Sequence, residues 1–174
     1  IGVSTFSVLS YLFSLANAIL SGVAQGLQPL WGRSYGRRGT EEIRDLFRCG
    51  VRINLALSAA ICAGLTFLAQ PVIHIFNQSP ELVQSGSKAL PVFSLSFLPM
   101  ALNLVYTAFL YSTKRTGAAD AIAVCRGIAV KAAVIFGVPA LFGVEAIWTA
   151  PLAAELVTLA LAVILTRTVK LTYR

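Results

Sequence analysis

The segment ALPVFSLSFLPMALNLVYTAFLYST, residues 89–113, contains no charged side chain. A helix crosses the hydrocarbon core of a bilayer with roughly 20 predominantly apolar residues, so this segment is long enough to span it. Residues 1–32 and 53–80 also lack charged side chains and exceed that length. Their continuous apolar character differs from the alternating pattern, with roughly 10 residues per strand, of a transmembrane β-barrel. These segments therefore predict membrane-spanning helices.

Two weaker segments each contain one charged residue within the proposed span: Lys131 in residues 121–143, and Glu155 in residues 146–166. One charge costs about 2.5–3.5 kcal/mol on insertion, which an otherwise apolar helix can offset. Only 12% of the chain is charged, compared with about a quarter in an ordinary soluble domain. The sequence therefore predicts an all-α, polytopic membrane bundle. Its five expected spans are residues 5–31, 53–76, 89–113, 121–143 and 146–166.

The net charge of +7 is distributed unevenly along the chain. All of the 14 lysines and arginines except Lys88 and Lys131 lie in the first connection, around the third connection, or in the C-terminal tail. An excess of basic residues in the loops on one side marks the cytoplasmic side of a membrane protein. We therefore expect a multi-pass protein of the inner or plasma membrane with a cytoplasmic C-terminus. The positive charge then indicates contact with membrane lipid and requires no nucleic acid.

Enzymatic chemistry has little support in the sequence. His74 is the single histidine, and Cys49, Cys62 and Cys125 lack the spacing of metal ligands. The chain also has no G-x-S-x-G, Walker A or H-E-x-x-H motif. The sequence predicts no enzyme, no cofactor and no metal site.

Polar and helix-disrupting residues inside apolar spans suggest a cavity-lining bundle that moves. Pro99 lies in the middle of the third span and should kink it. Gly22 and Gly26 form a G-x-x-x-G pair, which allows another helix to approach closely. The candidate hinge residues are Pro99, Pro29, Gly22 and Gly26, and the uncharged candidate cavity residues are Asn103, Gln25 and Gln28.

Lys131 and Glu155 are the charged candidates for a substrate or coupling site. The turn between the last two predicted spans lies near Val144, so the two residues lie roughly 20 and 16 Å below it at 1.5 Å per residue. Both depths are near the bilayer middle. The two residues could form a structural ion pair, line a water-filled cavity, or occupy separate solvated positions. Arg126 is expected at the cytoplasmic end, where its side chain could snorkel to the surface or hold loop carbonyls.

Two longer stretches resemble multidrug and toxin extrusion (MATE) transporters. In GVAQGLQPLWGRSYGRRGTEEIRDLFRCG, residues 22–50, a glycine-rich stretch leads into Q-P, then S-Y-G and a basic amphipathic loop. CRGIAVKAAVIFGVPALFGVEAIWTAPLAAEL, residues 125–156, is similar to the last two helices of the family. The matching positions are Gln28, Pro29, Tyr35, Gly36, Arg126, Pro139, Phe142, Gly143, Ile147, Trp148 and Glu155.

The resemblance implies the C-terminal lobe of a twelve-helix transporter, helices eight to twelve, with a missing N-terminal lobe as its partner. It implies a secondary antiporter that exports small organic molecules in exchange for H⁺ or Na⁺. Lys131 matches no family position, and Gly127 and Ala133 also depart from the pattern. The alternatives are a lipid-linked oligosaccharide flippase of related fold and a membrane remnant that does not transport.

Overall fold

A computed structural model describes residues 2–76, 78–129, 132, 137 and 144–168. The helices are α1 (Gly2–Gly36), α2 (Thr40–Phe67), α3 (Ala69–Phe76), α4 (Pro80–Ser94), α5 (Phe97–Ser112), α6 (Thr116–Val124) and α7 (Ala150–Thr168). A π-helical turn, Cys125–Ala129, continues α6, and a 3₁₀ helix, Val144–Thr149, precedes α7. The described ranges contain no strand. The predicted all-α class is therefore confirmed.

Three helical segments are long and apolar enough to cross a membrane: Ser4–Gly36, Thr40–Phe67 and Ile147–Thr166. Helices α4 and α5 together can form a fourth crossing. Ser4–Gly36 and Thr40–Phe67 correspond to the first and second predicted spans. The α4–α5 pair corresponds to the third predicted span, and Ile147–Thr166 to the fifth. The other predicted span, residues 121–143, lies mostly outside the described residues.

The second span begins earlier than the charge pattern suggested. Helix α2 starts at Thr40 and runs without a break from the basic segment into the apolar one. Glu41 and Glu42 lie in its first turn, where negative charge interacts favourably with the helix dipole. Arg38, with φ of 59°, forms the reversal between α1 and α2. The basic segment after Thr40 and the second span are thus one helix.

The third span is bent by 41° between α4 and α5. The break lies one turn before Pro99, which is the third residue of α5. Proline lacks the N–H that would bond to the carbonyl of Leu95, and its ring clashes with that carbonyl. The Leu98 N–H instead donates to the Leu95 oxygen. Residues preceding Pro99 therefore absorb the distortion.

Helix α5 lies at the centre of the bundle and contacts α1, α2, α6 and α7. On one side, the rings of Trp31 and Phe109 meet edge to face, with centroids 5.7 Å apart. Gly50 of α2 packs beside them with no space for a side chain. A Cβ placed there would lie 2.7 Å from Leu27 Cδ1 and 3.0 Å from a Trp31 ring carbon.

The predicted glycine pair has no such neighbour among the described residues. Gly22 and Gly26 lie on an exposed face of α1, and a Cβ at either would meet no atom within 4 Å. Within the described bundle, the expected close helix approach therefore occurs at Gly50 instead. Helix α1 also continues through Pro29 to Gly36.

Candidate functional site

Glu155 lies in the second turn of α7, and only 2% of its surface is exposed. The helix brings it to the buried side of the bundle, against the middle of α5. An ionised carboxylate in that position requires charged or hydrogen-bonded partners, because its desolvation costs several kcal/mol. The structure supplies two such partners, Arg126 and Asn103.

Arg126 is the cationic partner. Its Nε donates to Glu155 Oε1 at 3.0 Å and to Oε2 at 3.2 Å. The Arg126 side chain is 20% exposed and that of Glu155 is 3% exposed. This is a largely buried ion pair between the π-helical turn and α7.

The Arg126 side chain does not snorkel to the surface, because it donates to Glu155 and Asn17 inside the bundle. The helical segment begins at Thr116, before the predicted start at residue 121. Arg126 therefore lies about ten residues along it, which is roughly 15 Å in an α-helix. The low exposure of both side chains places the ion pair inside the bundle.

Asn103 of α5 is the second partner and is fully buried. Its Nδ2 donates to Glu155 Oε2 at 2.7 Å and to the Glu155 backbone oxygen at 2.9 Å. The Asn103 Oδ1 atom is buried and has no hydrogen-bond partner among the described residues. The amide thus fixes Glu155 through its donor group and keeps one acceptor unused beside the ion pair.

Asn17 of α1 completes the network from the other side. Its Oδ1 accepts a hydrogen bond from Arg126 Nη2 at 3.0 Å. The order of contacts is Asn17, Arg126, Glu155 and Asn103, so four segments of the chain meet around one charge pair. Sequence reasoning missed Asn17. The available signal was an amide in the middle of a charge-free segment.

Two cavities adjoin this network. The first, which we call the aromatic pocket, has a volume of about 330 Å³ and is lined by residues that include Phe6, Phe13, Phe93 and Glu155. The second, the arginine pocket, has a volume of about 390 Å³. Its lining includes Ser14, Asn17, Thr107 and Arg126. Phe13 and Ser14 line both cavities, so the two are neighbours.

The structure brings together only part of the predicted site. Asn103 and Glu155 touch, as described above. Gln25 is exposed and Gln28 half-buried on the part of α1 that leads to the basic turn, away from these contacts. Lys131 lies outside the described residues, so the predicted Lys131–Glu155 pair has no structural description. Both oxygens of Glu155 already contact Arg126.

No metal centre emerges in the described part of the chain. No group of three histidine, cysteine, aspartate or glutamate side chains there could hold a metal ion. The three cysteines are free thiols. The chemistry of the site is therefore that of one ion pair and two amides.

Fold and site together define a polytopic membrane helix bundle with a buried charge network beside two cavities. The MatE family model matches residues 1–143, and the chain belongs to this family. A stretch of 97 residues is 26% identical to the probable multidrug resistance protein NorM of Rhizobium meliloti (strain 1021). That match covers 56% of this chain and 21% of the relative, so it spans about a fifth of the relative's length. No solved structure matches the chain significantly.

Proposed function

We propose that this chain is part of a secondary antiporter that exports small organic molecules in exchange for H⁺ or Na⁺. MatE family members are transporters rather than enzymes, and the similar protein from Rhizobium meliloti is named for multidrug resistance. The observation that carries the proposal is the Arg126–Glu155 pair, buried at the junction of two cavities. Ionisable groups inside a membrane bundle are expensive and typically mark substrate or ion pathways.

The chain would form the C-terminal lobe, helices eight to twelve, and would require an N-terminal lobe to enclose the substrate. In secondary transporters, binding sites lie near the bilayer midplane between two repeats that rock against each other. The deep position of Glu155 suits such a site. The concentration of basic residues on one side supports a cytoplasmic C-terminus in the inner or plasma membrane.

Glu155 and Asn103 are our candidates for coupling. A carboxylate can take up a proton, and carboxylate and amide oxygens are also suitable ligands for a hard cation such as Na⁺. The unpaired Asn103 Oδ1 could accept a hydrogen bond from a protonated Glu155 or contribute a ligand to Na⁺. Either event would weaken the hold of Glu155 on Arg126, which links ion binding to a change in the bundle.

The test is efflux of ethidium by the full-length protein in proteoliposomes, driven by an imposed pH or Na⁺ gradient. We expect one of the two gradients to drive transport, and Glu155→Gln to abolish most of it. Cys49→Ser, an exposed thiol on α2, is the control and should keep normal rates.

If the wild-type protein transports nothing under either gradient, the antiporter proposal is wrong. A lipid-linked oligosaccharide flippase would instead move a fluorescent lipid pyrophosphate across the same vesicles. A non-transporting remnant would move neither compound.

A further inference from the structure

Arg126 and Glu155 line different cavities although their side chains are in contact. Glu155 belongs to the lining of the aromatic pocket, and Arg126 to that of the arginine pocket. The bifurcated Nε contact, at 3.0 and 3.2 Å, therefore crosses the boundary between the two cavities. Separating these side chains would change the charge of both cavities at once.

The aromatic pocket is suited to a hydrophobic cation once Glu155 is released. Three phenylalanine rings line it, and the faces of aromatic rings attract cations. With Arg126 in place, however, the carboxylate is already neutralised. A cation in the pocket then gains little from Glu155, because the two positive charges compete for the same oxygens.

The arginine pocket can hold the displaced guanidinium. Arg126 Nη2 already donates to Asn17 Oδ1 on that side. The hydroxyl groups of Ser14 and Thr107 also line this pocket and are possible acceptors for further N–H groups. Arg126 can therefore leave Glu155 without losing all of its hydrogen bonds.

We propose that Arg126 is a built-in competitor for cationic substrates at Glu155. In the empty state it occupies the carboxylate, and a hydrophobic cation entering the aromatic pocket displaces it towards Asn17. This inference rests on the proposed transport function and names how the same site is regulated. The site would then select against neutral molecules, because these cannot displace an arginine from a carboxylate.

The test is equilibrium binding of tetraphenylphosphonium to the purified full-length protein at one fixed pH. We expect Arg126→Gln to bind this cation at least about tenfold more tightly than the wild type, because a charge-assisted competitor is removed. Binding of neutral triphenylphosphine oxide should not change. The gain should vanish in the Arg126→Gln/Glu155→Gln double variant.

Unchanged or weaker cation binding by Arg126→Gln would overturn the proposal, as would an equal gain for the neutral compound. If Arg126→Gln does not fold, Asn17→Ala takes its place. Among the described contacts, Asn17 bonds to Arg126 and not to Glu155. In Asn17→Ala the displaced guanidinium loses its acceptor, so displacement becomes harder and cation binding should weaken about threefold or more. Unchanged or tighter binding by that variant would contradict the competitor role.

Binding needs no gradient, so this result is separate from the efflux assay. If the wild type shows no gradient-driven efflux, the transport function is refuted. The binding comparison can still be interpreted in that case. Efflux by the wild type together with no gain in Arg126→Gln would refute the competitor role alone.

Discussion

The Nε atom of Arg126 lies within 3.2 Å of both carboxylate oxygens of Glu155. The similar membrane depths predicted from the sequence for Lys131 and Glu155 suggest Lys131 as the partner of this acid. The contact instead joins the π-helical turn after α6 to the second turn of α7. The ion pair joins the π-helical turn to α7, beside the two Asn103 hydrogen bonds that join α5 to α7.

Glu155→Gln in the full-length protein should lower the free energy of unfolding by about 3–5 kcal/mol, because Arg126 is left buried without a counter-charge. Adding Arg126→Gln to this variant should restore much of the loss. Chemical unfolding in detergent measures the free energy of unfolding of each variant.

Lys131→Ala is the matched control for that cycle. Its effect on the free energy of unfolding should add to that of Glu155→Gln, as expected for residues without direct coupling. A clear departure from additivity would mean that Lys131 shares the carboxylate with Arg126.

Asn103→Ala should reduce both stability and transport. Removing a donor to a buried carboxylate costs about 1–3 kcal/mol, and Glu155 loses the contact that orients it. Asn54→Ala is the matched control, because Asn54 is equally buried but donates to the Ala101 carbonyl. It should reduce stability while the surviving protein keeps its efflux rate. Equal losses of specific transport in both variants would contradict a special role for Asn103.

Gly50→Ala should destabilise the bundle by about 1–3 kcal/mol, the usual cost of overpacking. The added methyl would press against Leu27 and Trp31. Gly26→Ala is the control and should be neutral or slightly stabilising, since open space surrounds that position in the described bundle and alanine favours helix. Thermal unfolding compares the two. A larger loss at Gly26 would show that another helix packs there in the complete protein.

Pro99→Ala should straighten the third span, since residue 99 regains an N–H that can bond to the Leu95 carbonyl. If the 41° bend serves as a hinge, turnover should fall while substrate affinity stays near normal. Pro29→Ala is the control, because α1 is helical on both sides of that residue. Efflux rates and substrate affinity are measured in parallel, which separates a loss of turnover from a loss of substrate binding. Normal turnover in Pro99→Ala would remove the hinge from the mechanism.

The site was only partly predictable from sequence. Asn103 and Glu155 were found because a polar residue in an apolar span is conspicuous in the sequence itself. Arg126 was misplaced because the start of its helix was set about five residues too late, at residue 121 instead of Thr116. Asn17 was overlooked in favour of Gln25 and Gln28, which lie on the same helix but outside the network. Choosing among amides on one helix requires knowledge of which face its neighbours cover.

The sequence by itself determined that this protein is an all-α membrane bundle, because length and apolarity of a segment are local properties that decide whether a helix can cross a bilayer. Only the tertiary structure decided that Arg126 neutralises Glu155 and that Gly50 packs against Leu27 and Trp31. Those contacts depend on the rotation and depth of each helix relative to its neighbours. Rotation and depth are set by many contacts between distant parts of the chain, and no single segment encodes them.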